Sequence, residues 1–396
     1  MQIHLTKSNE SLSDISKQYS VNESIIRNTN EITSQNPTEG EEILIVTPMR
    51  EYKAQFGDTL DRIALRFDVK KSEILQNNPW IANRNLEPGE VISLRSGGEK
   101  YGMSYANGYF YKGCSGEQLS RALPFLTYVT FASASTDGRS ITRTMDDKKH
   151  VHTVNDAGKI SLVRLFDKRA NRHLDENSFE GLAEKIIEFA LDGGYKGVML
   201  NSCPYSNFAK EFSCFIVKLR KLMIGCDLIL ITEINENSPI EFSEYADGSV
   251  LYYTKVAEKE YASFDDGERR VLSDFACNGE SAKTFVDLPS IARYNNEYCT
   301  INEALERARK YGYKIDQNEN TLLSHFYDRK QGDYYFASLR NIEQILALVN
   351  EFGYMGICFD IMRTPLSHFL MYNKMFKTSS YTSVRFQEGC SRGAED

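Results

Sequence analysis

Three carboxylates lie where a parallel α/β fold gathers its chemistry. Glu233, Asp287 and Asp360 each stand near the C-terminal end of an apolar, strand-like run. If these ends meet, two carboxylates can act as an acid and a base, and three can hold a metal ion. The same side chains could instead cap neighbouring helices or hydrogen-bond within the fold. The residue types leave both readings open.

One strand of the same kind ends without a carboxylate. The stretch GYKGVMLNSCPYSNF, residues 194–208, runs from an apolar strand into Asn201, Ser202 and Cys203. A cysteine ahead of a helix N-terminus can become a nucleophile, because the helix dipole lowers the pKa of its thiol. No histidine lies nearby in the sequence to act as its base. We therefore expect Cys203 to fill space rather than to react.

The elements that position these residues are eight short apolar runs separated by amphipathic stretches. The predicted strands cover residues 104–110, 126–133, 159–166, 197–201, 227–233, 249–253, 283–289 and 356–362. Eight strands with helical crossovers predict the α/β class and a (β/α)8 TIM barrel over residues 98–377. A helical stretch and a hairpin pattern at about residues 300–338 predict a small α+β insertion before the last strand. Residues 378–396 are Ser/Thr-rich and predict a loose C-terminal tail.

The first hundred residues contain an internal repeat. Residues 10–30 match residues 58–78, a period of about 48 residues. Apolar residues recur every three or four positions in both copies, and Ser11 and Thr59 are suitable helix N-caps. Short strand-like pieces flank each helical part. We predict two βααβ modules, residues 1–48 and 49–97.

The repeats resemble the LysM domain, and the second copy is the closer match. It contains FGDTLDRIALRF, ILQNNP and LEPGEVISL, whereas the first copy has KSNESL in place of Gly-Asp-Thr-Leu. The resemblance implies binding of N-acetylglucosamine polymers such as peptidoglycan or chitin. The implied glycan-binding residues are Gly57, Asp58, Thr59, Leu60, Asn78, Pro79, Trp80 and Ile81. Trp80 could stack on a sugar or pack locally, and the repeats could also serve as spacers or protein-docking modules.

The whole arrangement resembles the spore cortex-lytic N-acetylglucosaminidases of glycoside hydrolase family 18. The resemblance rests on two LysM-like modules before a barrel, the insertion, and the stretches GYKGVMLN and EFGYMGICFDIMRTPLSHFLM. It implies hydrolysis at N-acetylglucosamine by one glutamic acid, assisted by the acetamido group of the substrate. The family motif Asp-x-x-Asp-x-Asp-x-Glu falls on Lys196, Met199, Asn201 and Cys203, none of which is acidic.

Other positions of the family site are altered as well. The tryptophan of strand eight falls on or near Asp360, and the tyrosine after strand six matches Tyr253. We therefore expect a barrel mouth with Asn201, Tyr253 and Asp360, and no catalytic residues. Loss of general acid catalysis alone costs about 10²–10⁴-fold in rate. The barrel is predicted to be a pseudoenzyme, with Glu233, Asp287 and Asp360 as the possible replacement acids.

Composition limits the partners. A net charge of −8 argues against nucleic acid or an anionic membrane, both of which favour a basic surface. No cofactor or metal is expected, because the eight cysteines show no zinc-binding spacing. The N-terminus has no basic segment followed by an apolar one, so we expect synthesis in the cytoplasm without a signal peptide. The resemblance to the spore cortex-lytic enzymes implies deposition in the spore cortex or coat, with spore proteins as further partners.

Three functions remain open from the sequence. The first is a glycan-binding protein whose inactive barrel is a scaffold for glycans or proteins. The second is a hydrolase that uses a displaced acid. The third is an adaptor that controls an active relative.

Overall fold

The computed structural model describes residues 1–168, 179–202, 208–252 and 263–378. These residues form two compact units. One unit contains Met1–Leu126 and Leu251–Thr378, and the other contains Thr127–Val250. The predicted tail beyond Thr378 lies outside the described residues.

The N-terminal hundred residues fold as two βααβ modules, as the repeat predicts. The first consists of β1 (Gln2–Leu5), α1 (Leu12–Tyr19), α2 (Glu23–Thr29) and β2 (Glu42–Ile45). The second consists of β3 (Pro48–Lys53), α3 (Leu60–Phe67), α4 (Lys71–Asn77) and β4 (Val91–Ser96). Both strand pairs are antiparallel. Ser11 and Thr59 occupy the N-cap positions of α1 and α3 and accept backbone N–H groups of the first turn, which confirms both caps.

The rest of the chain supplies the strands and helices of the barrel and of the insertion. The strands are β5 (Met103–Phe110), β6 (Tyr128–Thr136), β7 (Ile141–Arg143), β8 (Ile160–Asp167), β9 (Gly197–Asn201), β10 (Ile229–Asn235), β11 (Gly248–Tyr252), β12 (Thr284–Asp287), β13 (Ile291–Tyr294), β14 (Glu297–Thr300), β15 (Asp316–Gln317), β16 (Leu323–Asp328), β17 (Gly332–Ala337), β18 (Gly356–Asp360) and β19 (Lys377–Thr378). The helices are α5 (Gly116–Ala122), α6 (Lys148–Asp156), α7 (Phe179–Asp192), α8 (Ala209–Ile224), α9 (Glu241–Glu244), α10 (Arg270–Ala276), α11 (Ile301–Tyr311), α12 (Leu339–Glu351) and α13 (Leu366–Met375).

Eight of these strands form a closed parallel barrel, which confirms the predicted fold class. They are β5, β6, β8, β9, β10, β11, β12 and β18. In one unit β8 pairs with β6 and β9, and β9 pairs with β10. In the other, β18 pairs with β12 and β5. Because the paired strands run parallel, their C-terminal residues lie at the same edge of the sheet within each unit.

The insertion before β18 is larger than the sequence pattern indicated. Its five-stranded sheet has the order β14-β13-β17-β16-β15 and begins at Ile291, not near residue 300. The additional hairpin, β13–β14, turns at Asn295, which adopts a left-handed backbone conformation with φ of 52°. Asparagine tolerates this conformation, so the Asn-Asn pair at 295–296 was the missed turn signal. Packing of α11 against one face of the sheet buries Ile301, Ala304 and Ala308 with Phe326 and Phe336.

Three further features concern the described residues only. None of their helices is both long and apolar enough to cross a membrane. Within the same ranges, no group of three or more histidine, cysteine or acidic side chains could hold a metal ion. None of the six described cysteines forms a disulfide; Cys358 is buried, and Cys214 and Cys277 are exposed.

Candidate glycan-binding loops and barrel mouth

The first predicted glycan loop lies at the surface of the second module. Gly57 has a φ of +83°, and no atom would meet a Cβ there within 4 Å. Asp58 accepts hydrogen bonds from the Tyr52 hydroxyl at 2.6 Å and from the Gln55 N–H at 2.7 Å. The bond from Tyr52 is the main cause that lowers the pKa of the Asp58 carboxyl. Asp58 therefore fixes the loop, and sugar binding by residues 57–60 stays a prediction.

The second predicted loop, residues 78–81, is buried, and its side chains do not face solvent. Asn78 is fully buried; its amide nitrogen donates to the carbonyls of Ile74 and Ser93, and its oxygen accepts the Ser93 N–H. Pro79 and Ile81 are also buried, and Trp80 is only 8% exposed. Of the two readings for Trp80, the structure shows local packing.

Contacts beside this loop explain its burial. The Gln76 side chain donates to the Pro124 carbonyl at 2.8 Å, and the Asn83 side chain donates to the Ser120 hydroxyl at 2.5 Å. Ser120 lies on α5 and Pro124 in the short helical turn that follows it. The loop is therefore an edge along which the second module packs against the start of the barrel region. Periodicity within the module could not reveal this neighbour.

The β9 positions of the family motif contain no acid among the described residues. Lys196 is exposed and precedes the strand, and Met199 is buried within it. Asn201 is the last residue of β9 and stands opposite Glu233 in the β9–β10 register. Cys203 lies outside the described residues.

Glu233, the first candidate acid, forms a buried ion pair. Its carboxylate accepts two hydrogen bonds from the Arg164 Nε, at 2.7 and 2.9 Å, and its side chain is fully buried. Both carboxylate oxygens are engaged, so Glu233 holds Arg164 in place. An arginine within the apolar run KISLVRLF was the signal that a buried partner had to exist.

Asp360 and Asp287 end two other barrel strands. Asp360 accepts the Tyr111 hydroxyl at 2.8 and 3.0 Å, and its Oδ1 accepts the backbone N–H groups of Met362 and Arg363 at 3.0 Å. Burial raises the pKa of the Asp360 carboxyl, although these hydrogen bonds oppose the shift. Asp287 is half-buried at the end of β12, opposite Cys358 of β18. Asp360 thus caps the turn after β18.

Two tyrosines near the C-terminal ends of β5 and β11 form an aromatic pair. The rings of Tyr109 and Tyr252 lie 6.2 Å apart in a tilted arrangement. The sequence interpretation selected Tyr253 for the barrel mouth, and that residue lies outside the described ranges. Tyr252 and Tyr253 are adjacent in the sequence, so residue type alone does not show which of them lies at the barrel mouth. That depends on the strand register.

Comparison with known proteins matches the N-terminal modules to the LysM domain at residues 4–46 and 52–95. The chain carries two LysM domains. No curated protein sequence matches it. Among solved structures, the spore cortex-lytic enzyme SleL of Bacillus megaterium QM B1551 is similar, with a TM-score of 0.72, 16% identity, and coverage of 96% of this chain and 99% of that one.

Two other solved structures share the fold. SleL of Bacillus cereus has a TM-score of 0.72, 15% identity, and coverage of 96% and 100%. A chitinase from Chromobacterium violaceum has a TM-score of 0.59, 14% identity, and coverage of 68% of this chain and 98% of that one. At these identities the likeness establishes the fold.

The two LysM domains repeat one another in their hydrogen bonds. Glu10 of the first accepts from the Lys7 N–H and contacts His4 at 2.9 Å, which corresponds to the contacts of Asp58 with Gln55 and Tyr52 in the second. The buried amide of Asn30 bonds to Ile26 and Leu44 as that of Asn78 bonds to Ile74 and Ser93. These repeated carboxylates and amides stabilise the LysM fold itself.

Proposed function

We propose that this protein binds peptidoglycan, a polymer containing N-acetylglucosamine, and that its barrel is a catalytically inactive scaffold. The observation that carries the binding proposal is the pair of LysM domains. The exposed loop around Gly57 offers the surface for a sugar chain. The net charge of −8 suits a glycan better than a polyanion.

The geometry of the described mouth residues supports inactivity of the barrel. The described motif positions on β9 and just before it hold a lysine, a methionine and an amide. The carboxylates of Glu233 and Asp360 are both engaged, one by Arg164 and the other by Tyr111 and backbone N–H groups. A general acid must direct a proton at the leaving oxygen, whereas these contacts hold both carboxylates against other groups of the protein.

Deposition in the spore cortex or coat is part of the same proposal. It is supported by the likeness to two spore cortex-lytic enzymes over 96% of the chain. On this proposal the LysM domains hold the protein on cortex peptidoglycan while the barrel offers a docking surface for glycan or spore proteins.

A muropeptide analysis tests binding and catalysis together. The purified protein is incubated with purified spore cortex peptidoglycan, and both bound protein and new reducing ends are quantified. We expect the protein to sediment with the peptidoglycan and to release no fragments. New ends at N-acetylglucosamine would refute the inactive barrel, and absence of the protein from the pellet would refute the binding.

The alternative function is a hydrolase with a displaced acid, and one observation favours it. Burial raises the pKa of Asp360, as is typical of carboxyls that hold a proton for catalysis. Should fragments appear, the Asp360→Asn variant would abolish their release if Asp360 is the acid. The matched variant Asp316→Asn, on an exposed strand of the insertion, would leave the release unchanged.

A further inference from the structure

The loop between the second helix and the last strand has different surroundings in the two LysM domains. It is the α2–β2 loop in the first domain and the α4–β4 loop in the second. In the first domain this loop, residues 30–41, packs against the insertion. The Thr38 hydroxyl donates to the Tyr313 carbonyl at 2.8 Å, and the Ile315 N–H donates to the Glu39 carbonyl at 2.9 Å. A Cβ at Gly40 would lie 1.8 Å from the Ile315 carbonyl oxygen. The two backbones are therefore in direct contact.

A buried ion pair joins the same loop to the insertion. Arg309 of α11 contacts Glu41 through both Nε and a terminal nitrogen, and the two side chains are 2% and 1% exposed. Glu31 accepts hydrogen bonds from the Asn302 side chain at 2.7 Å and from the Leu366 N–H at 2.8 Å. Buried pairs of this kind fix one geometry, because separating the partners exposes two unpaired charges.

The two loops of the first domain are also joined to each other. The Leu12 N–H, in the first turn of α1, donates to the Asn36 side-chain oxygen at 3.2 Å. Arg27 holds the adjacent backbone through the Ser34 and Gln35 carbonyls at 2.7 and 3.0 Å. The helix N-terminus is thus occupied by a side chain of the opposite loop, which leaves less room for a ligand between the loops.

The second domain lacks this bridge. Arg84 is the counterpart of Asn36 in the repeat, and it contacts Glu90 and the Trp80 carbonyl instead of α3. The Leu60 N–H is the counterpart of the Leu12 N–H. Among the described residues, no protein atom accepts a hydrogen bond from it. The loop between β3 and α3 contains Phe56, which is 94% exposed and stands where the first domain has Ser8. Aromatic side chains are good platforms for the apolar face of a sugar ring.

We propose that the second LysM domain alone binds the glycan, with Phe56 as an aromatic contact, and that the first is a structural bracket between the LysM pair and the insertion. This assignment rests on the proposed glycan-binding function. One chain then holds one glycan, so it gains no avidity from its two LysM domains. Tight attachment to peptidoglycan requires further contacts or several copies.

Isothermal titration of the full-length protein with a linear pentamer of N-acetylglucosamine tests the assignment. The same substitution is made at the two equivalent, exposed positions, Phe56→Glu and Ser8→Glu. We expect one site per chain, a loss of affinity of about tenfold or more for Phe56→Glu, and a change within about twofold for Ser8→Glu. Phe56→Trp should retain binding. Leu65→Ala, at an 87% exposed apolar position of the same domain, should have no effect.

Each result separates the two proposals. Two sites of similar affinity, or an equal loss for Ser8→Glu and Phe56→Glu, would overturn the single-domain assignment while leaving glycan binding intact. Unchanged affinity for Phe56→Glu would overturn the role of the aromatic contact. If the parent protein binds neither the pentamer nor sedimented peptidoglycan, the proposed function and this assignment both fail.

Discussion

Replacing Lys374 should change how the stability of the protein depends on pH. Lys374 lies in the last turn of α13 and is only 6% exposed. Its Nζ lies 3.2 Å from the Asn77 side-chain oxygen of the second LysM domain, which also accepts the Ser96 hydroxyl. Burial lowers the pKa of the Lys374 amine from 10.5 to about 7; Lys100 adds to this shift, and Glu73 opposes it.

The sign follows from proton binding. Between pH 7 and 10.5 the unfolded chain holds a proton on Lys374 that the folded protein has largely released, so the free energy of unfolding rises with pH across this window. Above the window both states are neutral at this position, and below it both are charged. The full shift corresponds to roughly 4–5 kcal/mol of destabilisation at and below neutral pH.

The assay is urea unfolding at several pH values from 6 to 10 for the parent and for Lys374→Met. Methionine keeps the apolar stem and removes the charge, so we expect the variant to be more stable at pH 7, with a difference that shrinks towards pH 10. Lys17→Met, at an exposed position of α1, serves as the matched control. A difference between parent and Lys374→Met that does not change with pH would refute the reasoning, because other groups titrate equally in both proteins.

Three further predictions concern stability and can be measured by urea unfolding or by Tm. Arg309→Met should lower the free energy of unfolding by about 3–5 kcal/mol because it leaves Glu41 buried and unpaired, and adding Glu41→Leu should restore much of the loss; no recovery in the double variant would contradict this cause. Gly40→Ala should lower Tm far more than Gly57→Ala, since both have positive φ but only Gly40 faces a carbonyl oxygen at 1.8 Å; equal effects would show that φ alone decides. Asn78→Ala removes three buried hydrogen bonds and should cost about 2–4 kcal/mol, and a cost below about 1 kcal/mol would show that the amide is dispensable.

The sequence itself predicted the local elements of both regions. The helix caps at Ser11 and Thr59 and the apolar spacing of the repeat are properties of neighbouring residues, so both LysM domains could be predicted from short stretches. The alternation of apolar runs and amphipathic stretches likewise predicted the barrel. The absence of a carboxylate at Lys196, Met199 and Asn201 is a matter of residue identity and requires no structure.

The tertiary structure decided which of these residues are available. Trp80 is in a predicted glycan loop, yet contacts with the start of the barrel region bury it. Glu233 is a possible acid by its position, yet Arg164, 69 residues earlier in the chain, occupies its carboxylate. Glu41 and Arg309 are 268 residues apart and form one buried pair. Periodicity reports the buried face of an element but not the partner that covers it, because that partner is set by packing between segments distant in the sequence.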